Sequence, residues 1–451
     1  MTGPMPDART DVAIVGGGLS GLALGRALSA RGTEAQVLEA SDRPGGVTWT
    51  EAREGRLLEL GPQRIRPSGA VGELVEELGL GDELLLSPGE LPLFVYRDGR
   101  LGEVPLSARG LLRTELLSTA GKLRLLAEPL TRGALPGETV AHYLTRKLGR
   151  EAYENLVGPL YGGLYGSNPS EMLVEASLGH VLRRFGVGRS LGVAVLGLAR
   201  RRGEVPPPAT FREGMAALPR AMARSLGERV TLQARVTGLA RENGGWRVTI
   251  GGSGAPAWAV RADRVAVTVP APEAAPLLRE VAPEAARRVG ALTYNRLVVV
   301  HLLADRVLPG LGCQVSLVER DLATRGLTWN APAFGPDPEA PARERTARAA
   351  REGVYTAFLG GAGREEVADL EEEAAAGLAA DEFARITGEP ARPILVSRVW
   401  MPAWDRTWKG AGALDLPRGL TVCAAWSERP GIPGRLSQAA RLAERLAPAA
   451  S

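Results

Sequence analysis

Lysine, cysteine and histidine are scarce in this chain of 451 residues. Lysine stands only at Lys122, Lys147 and Lys409, so nearly all of the positive charge is arginine. The two cysteines, Cys313 and Cys423, lie in apolar, strand-like contexts. They form no C-x-x-C and no metal-ligand spacing, which fits buried thiols in a reducing compartment. His142, His180 and His301 are scattered, so no metal centre is expected. No apolar run reaches the ~18–20 residues of a bilayer-crossing helix. The polar, proline-containing start Met1–Thr10 is unlike a signal peptide. A dense basic stripe with interleaved aromatics is also missing, which argues against nucleic acid as a partner.

What remains is the composition of a globular protein, 45% hydrophobic and 24% charged, long enough for two or three lobes. The net charge of +4 is a mild basic bias that suits anionic substrates or an anionic membrane surface. The most informative stretch is Asp11-Val12-Ala13-Ile14-Val15 running into Gly16-Gly17-Gly18-Leu19-Ser20-Gly21. An apolar strand, a glycine turn and a helix start form a cradle for a dinucleotide pyrophosphate. Gly16 permits the turn, Gly18 lets the diphosphate approach, and Gly21 lets the helix from Leu19 to about Arg31 pack on the sheet. Helix-start amides meet the negative charge without a lysine. The next strand, Ala35–Leu38, delivers Glu39 at a spacing suited to ribose hydroxyls.

Further along, a helix is expected at Ala70–Leu80 and a strand at Leu91–Tyr96. Gly110–Leu130 has helical leucine spacing, with Arg113, Lys122, Arg124 and Arg132 on other faces. It reads as a membrane-surface helix or as a core-facing helix of a helical lobe. Leu191–Ala199, flanked by Arg189 and Arg200–Arg202, is too short to span a bilayer but long enough to dip into headgroups. A helix through about Leu226, paired strands around Asn243-Gly244-Gly245 and a buried strand Arg264–Pro270 follow. Leu297–Leu303 is a near-continuous apolar run, as a central strand requires. Tyr355–Gly363 lacks a third glycine and reads as a strand entering a turn, which leaves one dinucleotide site. At the end come a strand (Leu420–Trp426), a Gly/Pro turn (Ser427–Arg435) and a helix (Leu436–Leu446).

The glycine turn, together with Leu38-Glu39-Ala40 and Arg43-Pro44-Gly45-Gly46, resembles the amine oxidase and protoporphyrinogen oxidase flavoprotein superfamily. Glu59-Leu60-Gly61-Pro62, Leu164-Tyr165-Gly166-Ser167-Asn168-Pro169 and Phe211-Arg212-Glu213-Gly214-Met215 resemble segments of the porphyrinogen oxidases within it. The resemblance implies an α/β fold: a Rossmann-like FAD-binding domain, a mixed-sheet substrate domain and a helical lobe that touches the membrane. The expected boundaries are 1–85, 212–272 and 396–451 for the FAD domain, 86–105 and 273–395 for the substrate domain, and 106–211 for the lobe.

It further implies non-covalent FAD, since no cysteine stands near Trp400–Trp408. Carried over by position, Gly16, Gly18, Leu19, Ser20 and Gly21 would hold the pyrophosphate, continued by Arg43, Gly45 and Gly46. Glu39, Ala40 and Val236 would meet the adenosine. Gly61, Pro62, Gln63, Arg64, Trp404, Trp408, Pro430, Gly431 and Ile432 would line the flavin. No catalytic acid or base stands out; Gly166, Ser167, Arg66 and Arg325 are the substrate-pocket candidates.

The implied reaction is hydride transfer from protoporphyrinogen IX or coproporphyrinogen III to flavin, in heme biosynthesis, with dioxygen as acceptor. The implied setting is the cytoplasm, peripheral on the inner face of the cell membrane, with a second copy of the chain as a further partner. The chain also departs from the family. Gly434 replaces a tail aspartate, Pro430 a flavin-side glycine, Ser167 a substrate-segment glycine and Leu93 a basic residue. Two alternatives therefore stay open: another amine oxidase or desaturase on this scaffold, and a catalytically silent FAD-fold protein.

Overall fold

The strand β1 (Ala8–Val15) alternates in burial at its start and is fully buried from Val12 onward. It owes this to a neighbour on each side. It pairs in parallel with β2 (Ala35–Leu38), Ile14 opposite Val37, and with the strand Ala255–Val267, Ile14 opposite Ala266. A central parallel strand must be apolar on both faces, and Val12-Ala13-Ile14-Val15 meets that demand. The computed structural model describes residues 8–87, 91–105, 107–184, 190–191, 206–252, 255–330, 352–428 and 431–447.

The described chain divides into two compact units. The first comprises residues 1–84, 208–292 and 410–451. Its seven-stranded sheet places Leu420–Val422 in parallel beside Ala255–Val267, and Val230–Thr231 in parallel beside β2. Val236–Glu242 and Gly245–Gly252 extend it as an antiparallel edge. Helix α1 (Leu19–Ser29) crosses from β1 to β2, burying Leu22, Leu24 and Leu28. Helices Ala217–Leu226 and Ile432–Leu446 share its apolar cluster through Leu218, Met222, Leu436 and Leu442.

The second unit comprises residues 85–207 and 293–409. In its seven-stranded mixed sheet the long strand Tyr294–Ala304 lies between Gly353–Gly360 and Arg392–Pro402, antiparallel to both. Leu93–Arg97 joins in parallel beside Gly312–Val315. Helix Glu372–Thr387 turns Ala375, Ala379, Phe383 and Ile386 onto this sheet, a single face at helical spacing. The short helices of residues 107–184 belong to the same unit rather than to one of their own.

The unit boundaries differ from the sequence expectation at two places. Residues 273–292 group with the first unit, whose edge strand Val236–Glu242 is flanked by the helix Ala271–Leu278. Residues 396–409 group with the second because Arg392–Pro402 is the hydrogen-bonded neighbour of Tyr294–Ala304. The Gly110–Leu130 helix is broken into Ala108–Arg113, Thr119–Leu126 and the short turn Glu128–Leu130. The break falls where Ser118 accepts the Gly121 N–H as an N-cap. The last helix begins at Ile432, four residues earlier than expected, with a proline in its first turn where no N–H is needed. Pro430 and most of the Leu191–Ala199 stretch lie outside the described residues. Among the described residues no helix is long and apolar enough to cross a membrane.

Candidate functional site

The glycine turn after β1 is built as the sequence requires. Gly16 has φ +109°, in the left-handed region, and Thr268 Oγ1 donates to its carbonyl at 3.0 Å. A Cβ at position 21 would fall 1.9 Å from Gly16 O, so helix and turn meet there without a side chain between them. At Gly18 the opposite holds: an added Cβ meets nothing within 4 Å. Gly18 is also the N-cap of α1, with no side chain capping the first turn. Free first-turn amides beside an open backbone face are an anion site at the positive end of the helix dipole. Leu19 and Ser20, both buried, make up that first turn.

Glu39 follows β2 directly. Its Oε2 accepts the Gly17 N–H at 2.6 Å, and its Oε1 accepts the Ser41 N–H and Oγ–H at 2.9 and 2.8 Å. The carboxylate is thereby fixed against the glycine turn. Ala40 is exposed beside it. Ala234 N–H donates to Glu39 O at 2.7 Å, which brings the chain leading to Val236 alongside. The loop after β2 then folds back onto the turn. Gly45 N–H donates to Gly17 O at 2.8 Å, Gly18 and Gly45 form a parallel bridge, and Arg43 Nη1 donates to Gly46 O at 3.1 Å. Gly16, Gly18, Leu19, Ser20, Gly21, Glu39, Arg43, Gly45 and Gly46 are thus gathered within one unit.

A second layer braces this loop. Strands β3 (Thr50–Arg53) and β4 (Arg56–Glu59) form a hairpin with Thr50 opposite Glu59. Thr50 Oγ1 donates to Glu59 at 2.8 Å and accepts the Ala216 N–H at 3.0 Å. Glu59 also accepts the Met215 N–H at 2.8 Å. Burial pushes the Glu59 carboxyl up to about 7, although both hydrogen bonds pull it the other way. Gly61 comes next, where a Cβ would strike Val47 O at 1.9 Å. Pro62, Gln63 and Arg64 are partly exposed. Burial, then the like charge of exposed Arg66, holds the Arg64 guanidinium below its ordinary range, and no carboxylate pairs with Arg64 among the described residues.

Gly166, Ser167, Arg325, Trp404 and Trp408 belong to the second unit. Arg325 donates to Gly360 O and Ala362 O at 2.9 and 2.8 Å, and Ala362 N–H donates to Gly166 O at 2.8 Å. Ser167 Oγ accepts from Asn295 Nδ2 at 2.7 Å. Of the four substrate candidates, Gly166 and Arg325 are thus linked through Ala362, Ser167 follows Gly166 in the chain, and Arg66 lies in the first unit; Arg325 spends two nitrogens on the backbone. A cavity of about 20 Å³ lined by Gly163, Ser167, Thr324 and Arg325 has room for a water, not for a ring system. Trp404 and Trp408 are buried with ring centroids 4.5 Å apart, Trp408 donating to Thr293 O. Trp404 has φ +56°, a strained conformation for a bulky residue. Gly431, with φ +83°, caps the final helix ahead of Ile432. Among the described residues no group of His, Cys, Asp and Glu is placed to hold a metal.

Comparison with known proteins decides the family. The model for flavin containing amine oxidoreductase matches residues 19–417. The chain belongs to that family.

Within the family, it is 32% identical over 315 residues to the chloroplastic protoporphyrinogen oxidase 1 of Arabidopsis thaliana, covering 65% of this chain and 58% of the relative. It is 32% identical over 361 residues to the human protoporphyrinogen oxidase, covering 72% and 73%. The chain thus spans about six-tenths of the length of the plant relative. A solved Exiguobacterium structure, whose name likens it to protoporphyrinogen oxidases, superposes with a TM-score of 0.75 at 21% identity, covering 98% of this chain and 99% of that one. As a member of the amine oxidoreductase family the protein is a flavoprotein that takes FAD. The cradle fits that cofactor, since the open Gly18 face and uncapped α1 amides suit its diphosphate and the fixed Glu39 carboxylate suits its ribose.

The sequence singled out the cradle's glycines and acid. It missed Trp49, Thr50 and Arg220, whose contacts join segments distant in the chain. The one available signal was the aromatic and hydroxyl pair Trp49-Thr50 at the start of the β3 strand.

Proposed function

We propose that the protein is an FAD-dependent porphyrinogen oxidase acting on protoporphyrinogen IX or coproporphyrinogen III, with dioxygen as acceptor. The observation that carries this reading is the likeness to plant and human protoporphyrinogen oxidases over most of the chain, on a unit whose cradle suits FAD. When bound, non-covalent FAD supplies a two-electron acceptor. Residues of this chain do the rest by holding and orienting. Gly16, Gly18, Leu19, Ser20, Gly21, Arg43, Gly45 and Gly46 would take the diphosphate; Glu39, Ala40 and Val236 would take the adenosine. By the family resemblance, Gly61, Pro62, Gln63, Arg64, Gly431 and Ile432 would line the flavin. Gly166, Ser167 and Arg325 would contribute to the substrate side. Aromatisation drives the reaction and the pyrrole N–H protons leave to water, so the chemistry requires no strong acid–base pair. Each ring loses three hydrides and three protons, and three dioxygen molecules become hydrogen peroxide.

Purified protein given each porphyrinogen tests this. Porphyrin fluorescence with matching oxygen uptake is expected from one or both. Yellow protein that generates none would refute the porphyrinogen reading, and colourless protein that takes up no FAD would refute any flavoenzyme.

We also propose that the protein sits peripherally on the inner face of the cell membrane. Leu112, Leu123, Leu126 and Leu130 are 62–79% exposed on the short helices, close in sequence to Arg113, Lys122 and Arg132. Sedimentation with anionic but not neutral vesicles is expected, and equal recovery with both would refute an electrostatic seat.

A further inference from the structure

Trp49 carries two arginines on its ring: Arg43 Cζ lies 4.1 Å from the ring centroid and Arg220 Cζ lies 4.9 Å from it. Arg220 sits in the first turn of the helix Ala217–Leu226. Neither guanidinium pairs with a carboxylate among the described residues, and that of Arg220 makes no hydrogen bond there. Two like charges sharing one ring are a poor arrangement by themselves. Arg43 shows it: burial holds its guanidinium below the ordinary range, Asp42 and Glu39 act against this, and Arg220 pushes it lower still.

The location says what would neutralise them. Gly45 is bonded to Gly17 and bridges Gly18, and a Cβ built on Gly46 would lie 3.4 Å from Gly18 Cα. Pro219, the residue before Arg220, packs on Gly45, its Cγ 2.9 Å from a Cβ built there. The cation pair therefore adjoins the uncapped start of α1 and the open face of Gly18. Resting on the FAD reading, we infer that Arg220 is a second cation for the cofactor diphosphate, held at its distance from Arg43 by Trp49. A planar guanidinium matches two phosphate oxygens at once, and stacking on indole leaves its N–H edge free to do so.

The test follows FAD binding to full-length protein by flavin fluorescence, with ADP and adenosine as competitors, for wild type, R220Q and R220K. The expected result is about a tenfold weaker binding of FAD and ADP by R220Q, as for loss of one charge-assisted contact. R220K should recover part of that loss, adenosine should bind all three alike, and the salt dependence of FAD binding should be shallower in R220Q. Unchanged ADP binding by R220Q would overturn the inference. So would an equal loss for adenosine and ADP, which would make Arg220 a prop for Trp49. Wild-type protein that binds no FAD would overturn the underlying cofactor reading as well, a result distinct from either.

Discussion

Gly18 and Gly21 stand three residues apart on one turn, and exchanging each for alanine should do opposite things. At Gly21 the new methyl would lie 1.9 Å from Gly16 O and 2.9 Å from Thr268 Oγ1. Neither can retreat easily, since Gly16 O is backbone and Thr268 Oγ1 is bonded to both Val15 O and Gly16 O. Overpacking of this kind costs about 1–3 kcal/mol and more where backbone blocks relaxation. At Gly18 the methyl meets no protein atom, and φ −71° with ψ 177° is open to any residue. The only cost in the fold is a poorer N-cap, about 0.5–1 kcal/mol. Where the diphosphate approaches, however, that methyl occupies its path. G18A should therefore unfold within a few degrees of wild type while its FAD dissociation constant rises by at least about tenfold, equivalent to ~1.4 kcal/mol. G21A should lower the unfolding midpoint by roughly 1 °C per kcal/mol of strain even without FAD. Differential scanning fluorimetry of FAD-free protein and a flavin fluorescence titration read both quantities. Wild-type affinity in G18A would refute the placement of the diphosphate against Gly18. An unchanged midpoint in G21A would refute the contact with Gly16.

Three further outcomes follow from buried groups. Because the Glu59 carboxyl lies near 7 in the fold against 4.5 ordinarily, its contribution to stability is full below about pH 4.5 and is lost as pH rises through 7. Urea unfolding at pH 5 and pH 8 should show E59Q gaining on wild type by on the order of 3 kcal/mol across that interval; a pH-independent difference would contradict it. Lys147, fully buried, pairs with buried Glu128 at 2.5 Å, and Glu128 also accepts from Ser190 Oγ and Leu191 N–H. K147M strands that carboxylate and should cost about 3–5 kcal/mol in denaturant unfolding, part of it restored in K147M/E128Q; a neutral K147M would show that the pair is not buried in solution. Burial pushes both the Cys313 and Cys423 thiols up to about 12, so neither should react with a thiol reagent at pH 8 until the protein unfolds. Fast labelling of native protein would refute their burial.

Local features were legible in the sequence and distant pairings were not. Gly16, Gly18 and Gly21 each face a constraint set within a few residues or by the adjacent strand, so composition and spacing expose them. Glu39 was legible as an acid after a strand, but its bond to Gly17 was not, because that depends on how β2 twists beside β1. The break at Ser118 has a readable signal in Ser118-Thr119-Ala120-Gly121, an N-cap followed by its donor; leucine periodicity on both sides obscured it. The Arg43–Trp49–Arg220 stack joins residues about 170 positions apart and leaves no local trace. The same holds for Arg392–Pro402, whose place beside Tyr294–Ala304 moved a boundary that the sequence put at 395.

The neighbours of β1 have a consequence for how the protein is made. Ala8–Val15 leaves the ribosome well before its later partners: the strand beside it ends at Val267 and the next, Leu420–Val422, comes some 400 residues later. At roughly 5–20 residues per second the apolar edge of the glycine cradle waits about 20–80 s for its last strand and for the helix that covers α1. During that time Val12, Ile14, Leu22 and Leu28 have no completed core to enter. The cofactor cradle is thus synthesised long before it is sealed. A chaperone or early capture of FAD would act on this interval, and a chain cut short before Leu420 would leave it open.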